Sequence, residues 1–354
     1  MKTTPLYLST IFMVILMTAW VLSGCKKEDN TNPENKIDLG SVTTENWMAS
    51  IHDSTSMGAL TIPGTHISGA DVNHLSGTEL NDYTTQQFTI GDQLNMGVRF
   101  LDLRVGFDES LNSGGLSLYT DEIRDLYMNP DVYLNQSFRT VLEGIKGFLD
   151  VYQTETVILL IRQVHSQFNP VEFWQWVAAD LDYAGIATDR IINYNPHTDA
   201  ALPLISACRN KILLISSDSG TWLYPKTTLT WPANTTKYQG TEGNLGYWVQ
   251  DAAEWNCIDF PEKITYIENL IGDCRSQSPS GYGKSLYINF LSAWDICDTP
   301  EGISTEINDN IFGFMQREMT DNRPCGILVM DFAGSNQPSV LPLLNLLIAI
   351  NSIK

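Results

Sequence analysis

Residues 97–105 read Gly-Val-Arg-Phe-Leu-Asp-Leu-Arg-Val. In an extended chain successive side chains alternate between two faces, so Val98, Phe100, Asp102 and Arg104 share one face and Leu101, Leu103 and Val105 the other. The leucine face is predicted to pack under helices. Asp102 and Arg104 are then left pointing into the interior that the sheet encloses.

Working outward, short apolar β-branched runs recur at residues 59–62, 156–162, 211–216, 247–250, 286–291 and 327–332. Helix-period stretches lie between most of them, at 138–152, 170–183, 263–274 and 303–319. Strands alternating with helices imply a mainly parallel sheet. From residue 46 to 354 there is no long linker, repeat or low-complexity block. The expected fold is therefore α/β, an irregular TIM-type (β/α) barrel forming a single domain.

The apolar runs end in or near Arg104, Arg162, Asp251, Asn289 and Asp331. Polar groups at successive carboxyl ends of barrel strands converge on one mouth. An aspartate two residues from an arginine can fix the guanidinium, which matches phosphate oxygens bidentately, so Asp102 and Arg104 form a candidate phosphate clamp. A purely structural Asp-Arg pair is the alternative. His66 follows a Pro-Gly turn in Thr-Ile-Pro-Gly-Thr-His, residues 61–66. With a carboxylate such as Asp331 to fix its tautomer it becomes a candidate general base.

The chain holds 21 basic and 41 acidic residues, a formal charge of −20. Such a chain is repelled by nucleic acid and by anionic bilayer surfaces, so any lipid must be met by a local pocket. The first 24 residues carry one base, Lys2, then an apolar run of about 16 residues against the ~20 a span needs. Leu22-Ser23-Gly24-Cys25 reads as a lipoprotein cleavage site, with a lipid on Cys25. Cleavage takes away Lys2 and no acid, leaving 20 against 41, or −21. Residues 25–45 then read as lipidated cysteine and flexible tether, in an exported, membrane-anchored protein. Acidic residues just behind Cys25 resemble surface-export signals of some two-membrane bacteria. Five further cysteines, at 208, 257, 274, 297 and 325, allow one or two disulfides and leave at least one thiol free.

The Pro-Gly-Thr-His segment, Arg-x-x-Asp-x-Arg at 99–104, Glu-Thr-Val-Ile-Leu-Leu-Ile-Arg at 155–162, Leu-Tyr-Ile-Asn-Phe at 286–290 and Asp-Phe at 331–332 together resemble the bacterial phosphatidylinositol-specific phospholipases C. The resemblance implies His66 as the base that deprotonates the inositol 2-hydroxyl, Asp331 as its orienting carboxylate, and Arg104 as the charge on the phosphorane-like transition state. Arg162 and Asp251 would contact inositol. The products would be diacylglycerol and a cyclic inositol phosphate. An arginine at 104 stands where calcium-dependent members of the superfamily hold metal, so no metal and no cofactor are expected.

Two departures stand out. The family reads Pro-Gly-Thr-His-Asp, its aspartate paired to a second histidine that protonates the leaving alkoxide; here Ile67 follows His66. Residues 116–127, where that histidine belongs, contain none. Tyr119, Asp121 and Glu122 are candidate replacement acids, as is His74, eight residues past His66 in a loop able to fold back.

His52, His165 and His197 take surface or packing roles by default. Trp174 and Trp176 read as helix core and rim. Trp222, Trp231, Trp248 and Trp255 leave lipid contact, glycan contact and plain packing open. Two other readings remain: a barrel that binds inositol phosphates or glycans without turnover, and a metal-dependent hydrolase of other glycerophosphodiesters, against which stands the lack of an acidic cluster near His66. A monomer is expected, with a phospholipid head group as ligand.

Overall fold

The structure, a computed structural model, describes residues 43–75, 83–107, 116–119, 133–164, 169–217, 227–255, 257–295, 297–335 and 340–352. Cys25, Asp121, Glu122, His165 and Trp222 lie outside them.

The strands are β1 (Thr61–Thr65), β2 (Phe100–Phe107), β3 (Leu116–Tyr119), β4 (Tyr133–Ser137), β5 (Thr156–Gln163), β6 (Lys211–Ser216), β7 (Thr227–Thr228), β8 (Thr235–Glu242), β9 (Leu245–Asp251), β10 (Glu254–Trp255), β11 (Ser285–Phe290), β12 (Trp294–Asp295) and β13 (Gly326–Met330). The main sheet runs β7-β6-β5-β2-β1-β13-β11-β9-β8. Every junction from β7 through to β9 is parallel, and β8 folds back antiparallel on β9. Between the β7 and β9 flanks the described residues show no strand ladder. Side chains bridge that seam instead: Tyr247 donates to the Thr230 carbonyl at 2.8 Å, and the Trp231 indole to Asp251 Oδ2 at 2.9 Å.

The helices are α1 (Ile90–Asn95), α2 (Phe138–Val151), α3 (Pro170–Tyr183), α4 (Ile205–Cys208), α5 (Phe260–Arg275), α6 (Pro279–Tyr282), α7 (Pro300–Glu318) and α8 (Val340–Ile350). Starts follow capping chemistry. Asn169 accepts from the Val171 and Glu172 amides with Pro170 in the first turn, and Thr299 accepts from Gly302 ahead of Pro300.

The period-two split holds within β2 itself, whereas Val98, expected beside Phe100, precedes the strand and packs in the outer core instead. Leu101, Leu103 and Val105 join the outer core with Leu142 and Ile145 of α2 and Phe173 of α3. Phe100 joins an inner core with Ile62, Ile158, Ile215, Val249 and Val329. Central strands buried on both faces are what a parallel sheet under helices requires.

Several elements lie beyond the expected set, among them β3, β4, β8 and α8. β3 pairs antiparallel with Val105–Phe107 and β4 with β3, extending the sheet past the mouth. β8 and β9 form a hairpin whose two-residue turn begins at Gly243, φ +57°, where a glycine favours that turn. The last helix, α8, packs on β1 and α7. Among the described residues no helix is long and apolar enough to cross a membrane.

The floor of the barrel is closed by residues 44–51. Arg99, fully buried just before β2, donates Nε to Glu155 Oε2 at 2.9 Å and its terminal nitrogens to the carbonyls of Leu94, Val98, Thr44 and Glu45. Trp47 donates to the Gly97 carbonyl, and Arg209 reaches the carbonyls of Met48, Ile51 and Thr154. The first arginine of Arg-x-x-Asp-x-Arg is thus structural, at the end opposite Arg104.

Candidate active site

β1 ends at Thr65 and β13 at Met330, and these strands are paired in register, so the next residues, His66 and Asp331, emerge side by side. The His66 amide donates to the Met330 carbonyl at 3.0 Å. Its ring Nδ1 lies 2.9 Å from Asp331 Oδ1. A carboxylate only accepts, so Nδ1 carries a proton, and in the neutral ring the lone pair lies on Nε2. Asp331 is buried, which pushes its carboxyl above the ordinary value, while the hydrogen bond and charge of His66 and the charge of Lys263 oppose that rise.

Gln86 locks the two strand ends together. Its Nε2 donates to the carbonyls of His66, at 2.9 Å, and Met330, at 3.0 Å, and its Oε1 accepts from the Ala333 amide. Thr85 adds a hydroxyl bond to the His66 carbonyl. Nothing in the polar run around Gln86 announces this role.

On β2 and β5 the register sets Arg104 directly beside Arg162. Asp102, fully buried one step below, divides its oxygens between them: Oδ2 lies 3.2 Å from an Arg104 terminal nitrogen and Oδ1 3.3 Å from Arg162 Nε. Arg162 also stands 3.8 Å from Asp251 Oδ2 and lies over the Trp231 ring, 4.8 Å from its centroid. Arg162 Nε and one of its terminal nitrogens complete no hydrogen bond, although the carboxylates are close. Both nitrogens are buried, so the two carboxylates hold them by charge alone. Burial alone would push the Asp251 carboxyl up; the Arg162 charge, the Trp231 hydrogen bond and the charges of Lys263 and His66 hold it below the ordinary value.

Phe290, at the end of β11, ties the halves together. Its ring meets the His66 ring edge-on at 6.1 Å, the Arg162 guanidinium at 5.5 Å and Trp231 at 6.2 Å. Six of the seven residues named from the sequence for this mouth, His66, Asp102, Arg104, Arg162, Asp251 and Asp331, therefore sit around one opening. Asn289 does not: it turns into the wall, bonded to Gln250 and the Ile267 carbonyl. Trp231 and Phe290 complete the ring. Sequence gave Trp231 only an open choice, and Phe290 no role.

Tyr119 lies on β3 just past Arg104, its ring across Gly106 and its hydroxyl donating to the Phe107 carbonyl at 3.3 Å. His74 pairs with buried Asp71 at 2.8 Å, and the loop carrying them adds Ile67, Ala70 and Leu75 to the outer core. His52 pairs with Ser54, and exposed His197 with Glu242. Trp174 is core, Trp248 stacks on Tyr287, and Trp255 donates to the Ala252 carbonyl. Cys257 and Cys297 form a disulfide linking the loops beyond β9 and β11, where β10 and β12 also pair; Cys208, Cys274 and Cys325 are free and buried. Among the described residues no cluster of His, Cys, Asp and Glu is arranged to hold a metal ion.

No family model matches the chain. It is 26% identical over 312 residues to a 1-phosphatidylinositol phosphodiesterase of Listeria monocytogenes, covering 86% of each chain. To a protein of the same name from Staphylococcus aureus it is 23% identical over 347 residues, covering 94% of each. A solved variant of the Staphylococcus aureus phosphatidylinositol-specific phospholipase C superposes with TM-score 0.70 at 21% identity, over 87% of this chain and 98% of that one. The Listeria monocytogenes enzyme does so with TM-score 0.65 at 23% identity, over 88% and 99%. In its barrel and along most of its length, the chain is a homologue of the bacterial phosphatidylinositol-specific phospholipases C.

Proposed function

We propose that the chain cleaves phosphatidylinositol, or a glycosylated relative, as a phosphodiesterase held at a membrane by a lipid on Cys25. The observation that carries this reading is the His66–Asp331 pair facing two arginines that share one buried carboxylate. With Nδ1–H committed to Asp331, His66 Nε2 takes the proton of the inositol 2-hydroxyl. That oxygen forms a bond to phosphorus as the bond to the glycerol oxygen breaks, giving cyclic inositol phosphate and diacylglycerol. Arg104 meets the charge growing on the phosphoryl oxygens, and because Asp102 already fixes its pose, little reorganisation is needed at the moment of reaction. Arg162 and Asp251 hold the ring hydroxyls over Trp231.

The leaving oxygen needs a proton, and with Ile67 after His66 the family's acid pair is absent. Tyr119, Asp121 and Glu122 are the proposed sources, Tyr119 by giving up its bond to Phe107. The same departure favours a second reading, a barrel that binds inositol phosphates or glycans without turnover.

Chelator-resistant release of cyclic inositol phosphate by the purified protein, lost in His66→Ala and Arg104→Ala, is the expected result. No product from the native protein, with inositol phosphate binding that survives His66→Ala, would install the binding reading. The anchor has its own test: fatty-acid labelling of the expressed chain that disappears in Cys25→Ser.

A further inference from the structure

Lys263 lies on α5 with its side chain fully buried. Its ammonium donates to Gln250 Oε1 at 3.0 Å, to the Ala252 carbonyl at 2.9 Å and to the Phe290 carbonyl at 2.8 Å. Three acceptors match the three hydrogens of the charged form, whereas a neutral amine has only two.

The placement of those acceptors is what matters. Gln250 and Ala252 flank Asp251, so Lys263 grips the chain on both sides of that carboxylate. Gln250 passes the grip on, donating Nε2 to Asn289 Oδ1 at 2.9 Å and to the Phe290 carbonyl at 2.7 Å, while its Oε1 accepts from the Ala252 amide. Phe290 carries the ring that touches His66, Arg162 and Trp231. The charged groups whose fields reach Lys263 are Asp251 and Asp331, one from each half of the mouth. Burying an ammonium is costly, and a neutral amide could satisfy carbonyls alone. The charge is the part that simple packing does not explain.

We propose that Lys263 is a positioning residue of this site: it fixes the carboxyl ends of β9 and β11 around Asp251 and Phe290, and its cation biases the proton affinity of the His66–Asp331 pair from beneath. The inference rests on reading that pair as catalytic.

A cation near a proton-binding pair weakens proton uptake, so removing it must move the pair's titration to higher pH. The test is a pH titration of the histidine ring signals by NMR on the full chain, in wild type, Lys263→Met, Lys263→Gln and Lys263→Arg, with phosphatidylinositol turnover measured on the same samples. The methionine and glutamine variants are expected to move the midpoint up by about half a pH unit or more, and to lower turnover at least about tenfold. Lys263→Arg, which keeps the charge, is expected to restore the midpoint. Glutamine keeps amide donors but no charge, so a variant that behaved like wild type in midpoint and turnover would overturn the proposal. Should neither neutral variant fold, wild type alone decides: a second inflection in the His66 signals as Lys263 loses its proton supports the coupling, and a single inflection refutes it. Wild type that turns over no phosphatidylinositol refutes the catalytic reading, while the midpoints still judge the coupling.

Discussion

Ile67 and Phe332 are the residues immediately after His66 and Asp331, and both are held at positive φ, +37° and +53°. Each turns the chain sharply away once the strand has delivered its functional side chain, and neither is glycine. For a bulky or β-branched residue this conformation is strained, and here the strain lies on both sides of the base and its carboxylate.

That strain reverses a usual ranking. Ile67 is buried, so truncation costs packing in either case, but Ile67→Gly relieves the backbone and Ile67→Ala does not. Ile67→Gly is expected to be more stable than Ile67→Ala by about 1 kcal/mol, read from urea unfolding midpoints. Alanine proving the more stable would mean that position 67 is not strained.

Removing the base or its orienting group should tell most in turnover. His66→Ala and Asp331→Ala are each expected to lose about 10²–10⁴ in kcat, with binding of inositol phosphates largely kept. Gln86→Ala, which frees the strand ends without touching a ligand, should lose less than either and also lower the melting temperature.

Asp102 serves two guanidinium groups from one buried position. Asp102→Ala leaves both facing each other without it, and a loss of about 3–5 kcal/mol in unfolding free energy is expected. Arg104→Lys keeps charge but not the planar fork, so kcat should fall about 10²-fold while stability changes little.

Stability should depend on pH through Lys263. Burial pushes its ammonium down to about 7, partly offset by Asp251 and Asp331, from an ordinary 10.5. Between those values the unfolded chain binds more protons than the folded one, so this group's penalty is fully present below about 7 and fades as pH rises. The wild-type unfolding free energy minus that of Lys263→Met should climb with pH over this window, by at most ~1.4 kcal/mol per unit. A flat difference from pH 7 to 10 would show that the two states bind this proton alike.

The disulfide between Cys257 and Cys297 closes 40 residues of sequence. Chain-entropy reasoning gives it about 4 kcal/mol, so a reductant should lower the melting temperature clearly. An unchanged melting curve would show that β10–β12 pairing already fixes these loops.

Much of this was legible because parallel barrel strands write their pattern plainly. Residues 97–105 announced an aliphatic face and a charged one, and Leu103 and Arg104 lie as that alternation demands. Where side chains act against their type, the sequence was silent. Lys263 sits in a helix whose charged positions would ordinarily face water, and Gln86 belongs to no periodic pattern. α8 is apolar apart from Asn345, so it lacks the one-sided stripe that marks a surface helix. β3 and β8 are short or largely polar and gain their partners only from the rest of the sheet.

The floor strap of residues 44–51 carries one more consequence. Arg99 and Glu155 bind it at the amino ends of β2 and β5, whereas His66, Arg104 and Asp331 all lie at the carboxyl ends of their strands. Changes confined to residues 44–51 therefore act on the blind side of the barrel, and loosening that strap is expected to cost stability while leaving the groups around His66 in place.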